Sequence, residues 1–190
     1  MMQPPWIPVS YSGEIRLMPL PSGEGNLNEE FPPKKESMIE YLRFSLLFMV
    51  IHLGAYIIAG ALIYRISADI YKGKGRLMDY LNDMSDARES GHVTRWFFPG
   101  NVLRGLLLSV VLYPILIPLG ELDPILRFLF FFGLMFIYTH IGSAAPCPDN
   151  IEGLIYMKRK YLSRSGFLKF QSEMLLYSLI FAAGAAWFLF

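Results

Sequence analysis

The stretch FSLLFMVIHLGAYIIAGALIY, residues 44–64, contains no Asp, Glu, Lys or Arg and decides the fold. A segment this apolar and this long requires a hydrocarbon solvent rather than water. Together with the three residues before it, the predicted helix over 41–64 rises ~36 Å at ~1.5 Å per residue, enough to cross a bilayer with some tilt. The sequence therefore predicts a retained first membrane span.

Three further segments are equally free of charged residues: 105–120, 128–148 and 174–190. Only 17% of the chain is charged, against about 25% in soluble domains. These observations predict an all-α integral membrane protein with four transmembrane helices. The predicted organisation is an extended Pro-rich arm over 1–38, helix 1 over 39–64, a polar amphipathic loop over 65–101, a hairpin of helices 2 and 3 over 102–144, a basic amphipathic loop over 145–171, and helix 4 over 172–190.

The basic residues fix the predicted orientation. Residues 65–101 carry six Lys and Arg and residues 145–171 carry five, whereas the arm carries three against five glutamates. Basic loops stay on the cytoplasmic side of a membrane, or on the matrix or stromal side in an organelle. We therefore expect both termini on the opposite side, in a bacterial inner membrane or an energy-transducing organelle membrane.

Several function classes find no support in the sequence. The net charge is +1, and a nucleic-acid partner would require a basic patch. The single cysteine, Cys147, excludes an internal disulfide. Known catalytic and nucleotide-binding motifs are missing from the sequence, so we expect neither an enzyme nor a metal site.

Two histidines within predicted spans are the candidates for chemistry. His52 lies at the middle of helix 1, where an ionisable group is costly and normally turned inward. We expect it to form a hydrogen bond with a hydroxyl on a neighbouring helix, from Ser109, Tyr113 or Tyr177. Haem or quinone binding through His52 or His140 is the alternative, although the two residues are predicted to lie at different depths.

Small residues recur at four-residue spacing on two helices and predict close helix packing. They are Ala55 and Ala59 on helix 1, and Ser178, Ala182 and Ala186 on helix 4.

The Pro-rich arm is too polar to form a core of its own, and ordering each backbone residue costs ~1–2 kcal/mol. We therefore expect it to be ordered by other polypeptides, through its large apolar side chains. These predicted anchors are Trp6, Ile7, Tyr11, Leu17, Leu20 and Phe31.

Three functions fit these features. The first is a non-catalytic, multi-pass structural subunit of a larger membrane complex, such as a secretion or conjugation, respiratory or insertion assembly, with other subunits and the lipid bilayer as its partners. The second is a redox membrane anchor that holds haem or quinone. The third is a small oligomeric channel or carrier, although no charged residue lies mid-span to serve transport.

Overall fold

The computed structural model describes residues 35–190, and all regular structure in that range is helical. The helices are α1 (Lys35–Tyr71), α2 (Ala87–Val111), α3 (Leu116–Glu121), α4 (Pro124–Phe132), a π-helix (Gly133–Ile141) that continues α4, α5 (Ile151–Tyr156) and α6 (Arg164–Phe188), with short 3-10 turns at Tyr113–Ile115 and Arg159–Tyr161.

Two helices in the described range are long and apolar enough to cross a membrane, namely Met38–Tyr71 and Pro124–Ile141. A third is obtained if Ala87–Val111 and Tyr113–Glu121, which are bent by 44° at a short break, form one span. Pro114 lies at this bend, and its ring disfavours a continuous helix there. The all-helical fold is confirmed, with two or three helices long and apolar enough to span a membrane. The predicted fourth span is not confirmed, because α6 is not among these helices.

The first polar loop is shorter than the sequence predicts. Helix α1 continues past Tyr64 to Tyr71, and the non-helical segment covers only residues 72–86. Residues 95–100, which were assigned to the polar loop, are instead part of α2, with Pro99 inside the helix. The Asp86 side chain accepts hydrogen bonds from the backbone N–H groups of Arg88 and Glu89 and caps α2. Aspartate is a preferred N-cap residue, so Asp86 in the sequence was a signal for this earlier helix start.

Helix α6 lies at the centre of the bundle, in contact with both α1 and α4, while α2 packs on α1. The core contains the fully buried aromatic side chains Phe48, Phe131, Tyr177 and Phe181. The five small residues singled out in the sequence, Ala55, Ala59, Ser178, Ala182 and Ala186, are all buried in this core. At Gly184 a Cβ would lie 2.9 Å from Ile51 Cγ2, so α1 and α6 approach closely at that level.

The two basic loops meet at one end of the bundle. Asp79, in the loop after α1, accepts hydrogen bonds from Lys160 Nζ at 2.8 Å and from the Tyr161 hydroxyl at 2.6 Å. The bond from Lys160 lowers the pKa of the Asp79 carboxyl, and the same bond raises the pKa of Lys160. Lys169 of α6 forms a second ion pair with Asp69 of α1, at 2.6 Å.

The opposite end of the bundle brings together the start of α1, the connection between α3 and α4, and the C-terminus. Phe190 lies 6.1 Å from Phe44, measured between ring centroids, and the Arg127 guanidinium lies 5.1 Å from the centre of the Phe190 ring. Arg127 also donates to the Leu122 carbonyl at 2.9 Å, so its charge has partners at the end of its helix.

Candidate functional site

His52 lies fully buried at the junction of α1, α2 and α6. Its Nδ1 shares a hydrogen bond of 2.7 Å with the Tyr177 hydroxyl, which is one of the partners expected from the sequence. The same hydroxyl lies 3.4 Å from Met135 Sδ in the π-helix. His52 Nε2 has no hydrogen-bond partner among the described residues. The residue therefore joins α1 to α6 in the middle of the core.

Helix α2 approaches α1 at the level of His52. A Cβ on Gly105 would lie 3.1 Å from Met49 Cα and 3.3 Å from His52 Cδ2. The edge of the imidazole ring next to Nε2 is thus covered by the α2 backbone. A haem would need open space on that side of the ring, and this packing does not favour it.

A second group of hydrogen-bonded polar side chains lies between α1 and α2, closer to the start of α1. Ser45 Oγ lies 2.6 Å from the Tyr113 hydroxyl and 2.7 Å from Ser109 Oγ. The Tyr113 hydroxyl also donates to the Tyr41 carbonyl at 3.3 Å. These hydroxyl groups satisfy one another between the helices, as polar groups in a membrane-protein interior do.

His140 lies elsewhere, near the end of the π-helix. Its Nε2 is 2.8 Å from Asp149 Oδ2, close enough for an ion pair but not aligned for a hydrogen bond. Asp149 is buried, and its carbonyl accepts from Gln171 of α6 at 2.6 Å. His52 and His140 therefore belong to separate contacts.

Within residues 35–190 no three His, Cys, Asp or Glu side chains are grouped to hold a metal ion. Cys147 lies in the loop before α5, and burial raises the pKa of its thiol, which does not favour the reactive thiolate.

The level of Arg104 along the bundle was not predicted from the sequence. Its neighbour Gly105 contacts Met49 and His52, near the middle of the charge-free stretch of α1. Arg104 is therefore level with the middle part of the α1 stretch and not with either of its ends. The side chain is exposed, and it has no ion pair or hydrogen bond among the described residues.

The face of α2 that carries Arg104 is otherwise apolar. Gly100 lies one turn before it, and Leu107 and Val111 follow at helical spacing. All of these residues are exposed, and a Cβ on Gly100 would meet nothing within 4 Å. We call Gly100, Arg104, Leu107 and Val111 the α2 face; it lies opposite the buried residues Gly105 and Ser109.

No protein-family model, curated protein or solved structure matches the chain. The predicted anchors of the arm, from Trp6 to Phe31, lie outside the residues that the structure describes.

Proposed function

We propose that the protein is a non-catalytic subunit of a larger membrane complex and that the α2 face binds another subunit there. Arg104 carries this proposal. A guanidinium at the middle of a bilayer costs about 2.5–3.5 kcal/mol on insertion scales, and such groups almost always pair inside a protein or line a water-filled cavity. Since residues 35–190 offer Arg104 no such pair, the partner expected is an acidic or strongly hydrogen-bonding residue on another membrane helix.

The surroundings of Arg104 suit a helix rather than lipid. Gly100, one turn away, has no side chain, and small residues let two helices approach closely in a membrane. Leu107 and Val111 supply apolar contact beyond the arginine. A partner helix with Asp or Glu at mid-span would therefore form a buried ion pair flanked by close packing on one side and aliphatic contact on the other.

We further propose that α6 crosses the membrane as a fourth span. Its contacts follow α1 from end to end: Lys169 pairs with Asp69, Tyr177 with His52, and Phe190 packs near Phe44. A helix that lies antiparallel along a membrane span over this length shares its depth. Most of its buried residues are small, namely Gly166, Ser178, Ala182, Ala185 and Ala186, and they allow close packing against protein rather than lipid.

The expectation of both termini opposite the basic loops remains part of the proposal, as does binding of the arm by other subunits. Deletion of residues 2–30 should leave the helical part inserted but reduce its incorporation into the complex. Unchanged incorporation of the truncated protein would remove the arm from the proposal.

The test is co-purification of tagged protein from its native membrane in a mild detergent. Arg104→Gln should reduce the yield of partner subunits about tenfold, which corresponds to roughly 1.4 kcal/mol. Arg95→Gln is the matched control. Arg95 is an exposed arginine on the same helix, nine residues before Arg104 and therefore not level with His52. Equal partner yield from wild type and both variants, or no partner at all with the wild type, would contradict the proposal.

Arg104 overturns the expectation that no charged residue lies mid-span. Its face of α2 is otherwise apolar, however, so it does not form the polar stripe that a channel between copies would need. Both histidines contact other side chains, and the hydroxyls of Ser45, Ser109 and Tyr113 bond to one another between α1 and α2. We therefore put neither the redox anchor nor the channel forward.

A further inference from the structure

A cleft of about 540 Å³ opens between α1, the first half of α2 and the start of α6. Its α2 residues, Val93 and Phe97, precede Arg104 by 11 and 7 residues and lie on the same side of the helix as the α2 face. Its walls are mostly aromatic and aliphatic, with Tyr56, Ala61, Tyr64, Tyr71 and Phe97 among them. One carboxylate, that of Glu173, is present in this lining. The cleft is thus an apolar cavity that contains a single acidic group.

Glu173 lacks a cationic partner within the described residues. The nearest donor is the Tyr71 hydroxyl, at 3.5 Å from Oε2, which is the outer limit of a hydrogen bond. Lys169, one turn earlier on α6, pairs with Asp69 instead. The other oxygen, Oε1, faces Gly60, where an added Cβ would lie 3.9 Å away. The carboxylate therefore has unused acceptor capacity directed into the cleft.

The cleft runs from the membrane surface toward its interior. Tyr71 is the last residue of α1, beyond the charge-free stretch, whereas Tyr56 lies close to the middle of that stretch. Just outside the cleft, Lys72 Nζ lies 5.0 Å from the centre of the Tyr64 ring. From the surface inward, a ligand would meet a cation, then a carboxylate, and then an apolar channel.

We propose that this cleft binds a phospholipid with a primary-ammonium headgroup, that is, a phosphatidylethanolamine. Its ammonium would donate to Glu173 and Tyr71, its phosphate would lie toward Lys72, and one acyl chain would follow Ala61 and Tyr56. A primary ammonium has three N–H donors for the open oxygens of Glu173. A quaternary ammonium has none, and an anionic headgroup would be repelled, so the carboxylate selects among lipids.

The experiment is native mass spectrometry of the full chain in detergent, titrated separately with phosphatidylethanolamine, phosphatidylcholine and phosphatidylglycerol. Wild type should bind one phosphatidylethanolamine at least tenfold more tightly than either other lipid. Glu173→Gln should abolish this preference, and Glu121→Gln, at an exposed acid on α3, should retain it. Equal binding of the three lipids, or an unchanged preference in Glu173→Gln, would overturn the proposal.

A wild-type measurement keeps the test independent of variant folding. A phosphatidylethanolamine with a photoreactive acyl chain should label peptides that contain Tyr56 to Tyr64 or Phe97, and unlabelled phosphatidylethanolamine should compete this labelling away. Labelling spread evenly over the exposed helix faces would overturn the proposal. Both measurements use the purified chain without partner subunits, so this test and the co-purification test of the α2 face can fail separately.

Discussion

Removal of the Tyr177 hydroxyl tests the contact at the centre of the bundle. In Tyr177→Phe, His52 Nδ1 loses its partner while Nε2 already lacks one among the described residues, so a fully buried imidazole is left without a hydrogen bond. Hydrogen bonds between membrane helices contribute about 0.6 kcal/mol on average and about 1.7 at most. An unpaired buried polar group costs about 1–3 kcal/mol. We therefore expect the free energy of unfolding to fall by about 1–2 kcal/mol.

A double-mutant cycle isolates this pair. His52→Leu removes the ring nitrogens along with the bond, so adding Tyr177→Phe to it should cost much less than Tyr177→Phe alone. The assay is unfolding by dodecyl sulfate in mixed micelles, followed by tryptophan fluorescence. Tyr138→Phe is the control, because the Tyr138 side chain is 76% exposed. If Tyr177→Phe is no more destabilising than this control, or if the two changes are additive, the described role of the contact is refuted.

The His52→Leu variant also tests whether His52 binds haem. We expect no Soret band from the wild type, because the α2 backbone covers the Nε2 side of the ring. A Soret band in the wild type that disappears in His52→Leu would show that the haem alternative is correct.

Two further predictions concern the loops and the topology. Gly153→Ala should destabilise the connection before α5 strongly, because its Cβ would lie 1.5 Å from the Cys147 carbonyl oxygen, whereas Gly133→Ala, with nothing within 4 Å, should be nearly neutral in the same unfolding assay. Cysteines placed at Ser85 and Ser22 in a Cys147→Ser background should be labelled by impermeant reagent from opposite sides of the membrane; labelling of both from one side would contradict the four-span topology.

The sequence was sufficient to predict a helical membrane protein, because a stretch of 21 residues without charge, over 44–64, is typical of a membrane-spanning helix. The buried position of His52 also followed from its place at mid-span, since an imidazole facing lipid is costly. Its hydroxyl partner could only be narrowed to three residues. Choosing Tyr177 required knowing that α6, not α2, faces the Nδ1 edge of the ring.

Because the second span was predicted to begin at residue 102, shortly after Pro99, Arg104 fell near the end of a predicted helix. A proline in a membrane helix is tolerated when neighbouring groups satisfy the freed backbone, and α2 begins at Ala87. The capping pattern of Asp86 with Glu89 three residues later was the available signal. With the helix beginning at Ala87, Arg104 lies well inside it and is level with Met49 and His52 of α1.

The cleft at Glu173 could not be predicted from the sequence either. Its lining comes from three helices distant in sequence, and α6 begins at Arg164 rather than at the predicted residue 172. In the sequence, Glu173 directly precedes the charge-free segment 174–190, which suggests the end of a span. In the structure it lies more than two turns inside α6, a helix packed on α1.

Photocrosslinking from the α2 face in native membranes tests the central claim most directly. A photoreactive amino acid at Leu107, which is 61% exposed one turn from Arg104, should crosslink to a single other polypeptide. The same group at Leu129, which is 54% exposed on α4, is the control for a lipid-facing site. We predict a protein adduct at Leu107 that is lost in Arg104→Gln. Adducts to lipid alone at both positions would contradict the account of this protein as a subunit bound through α2.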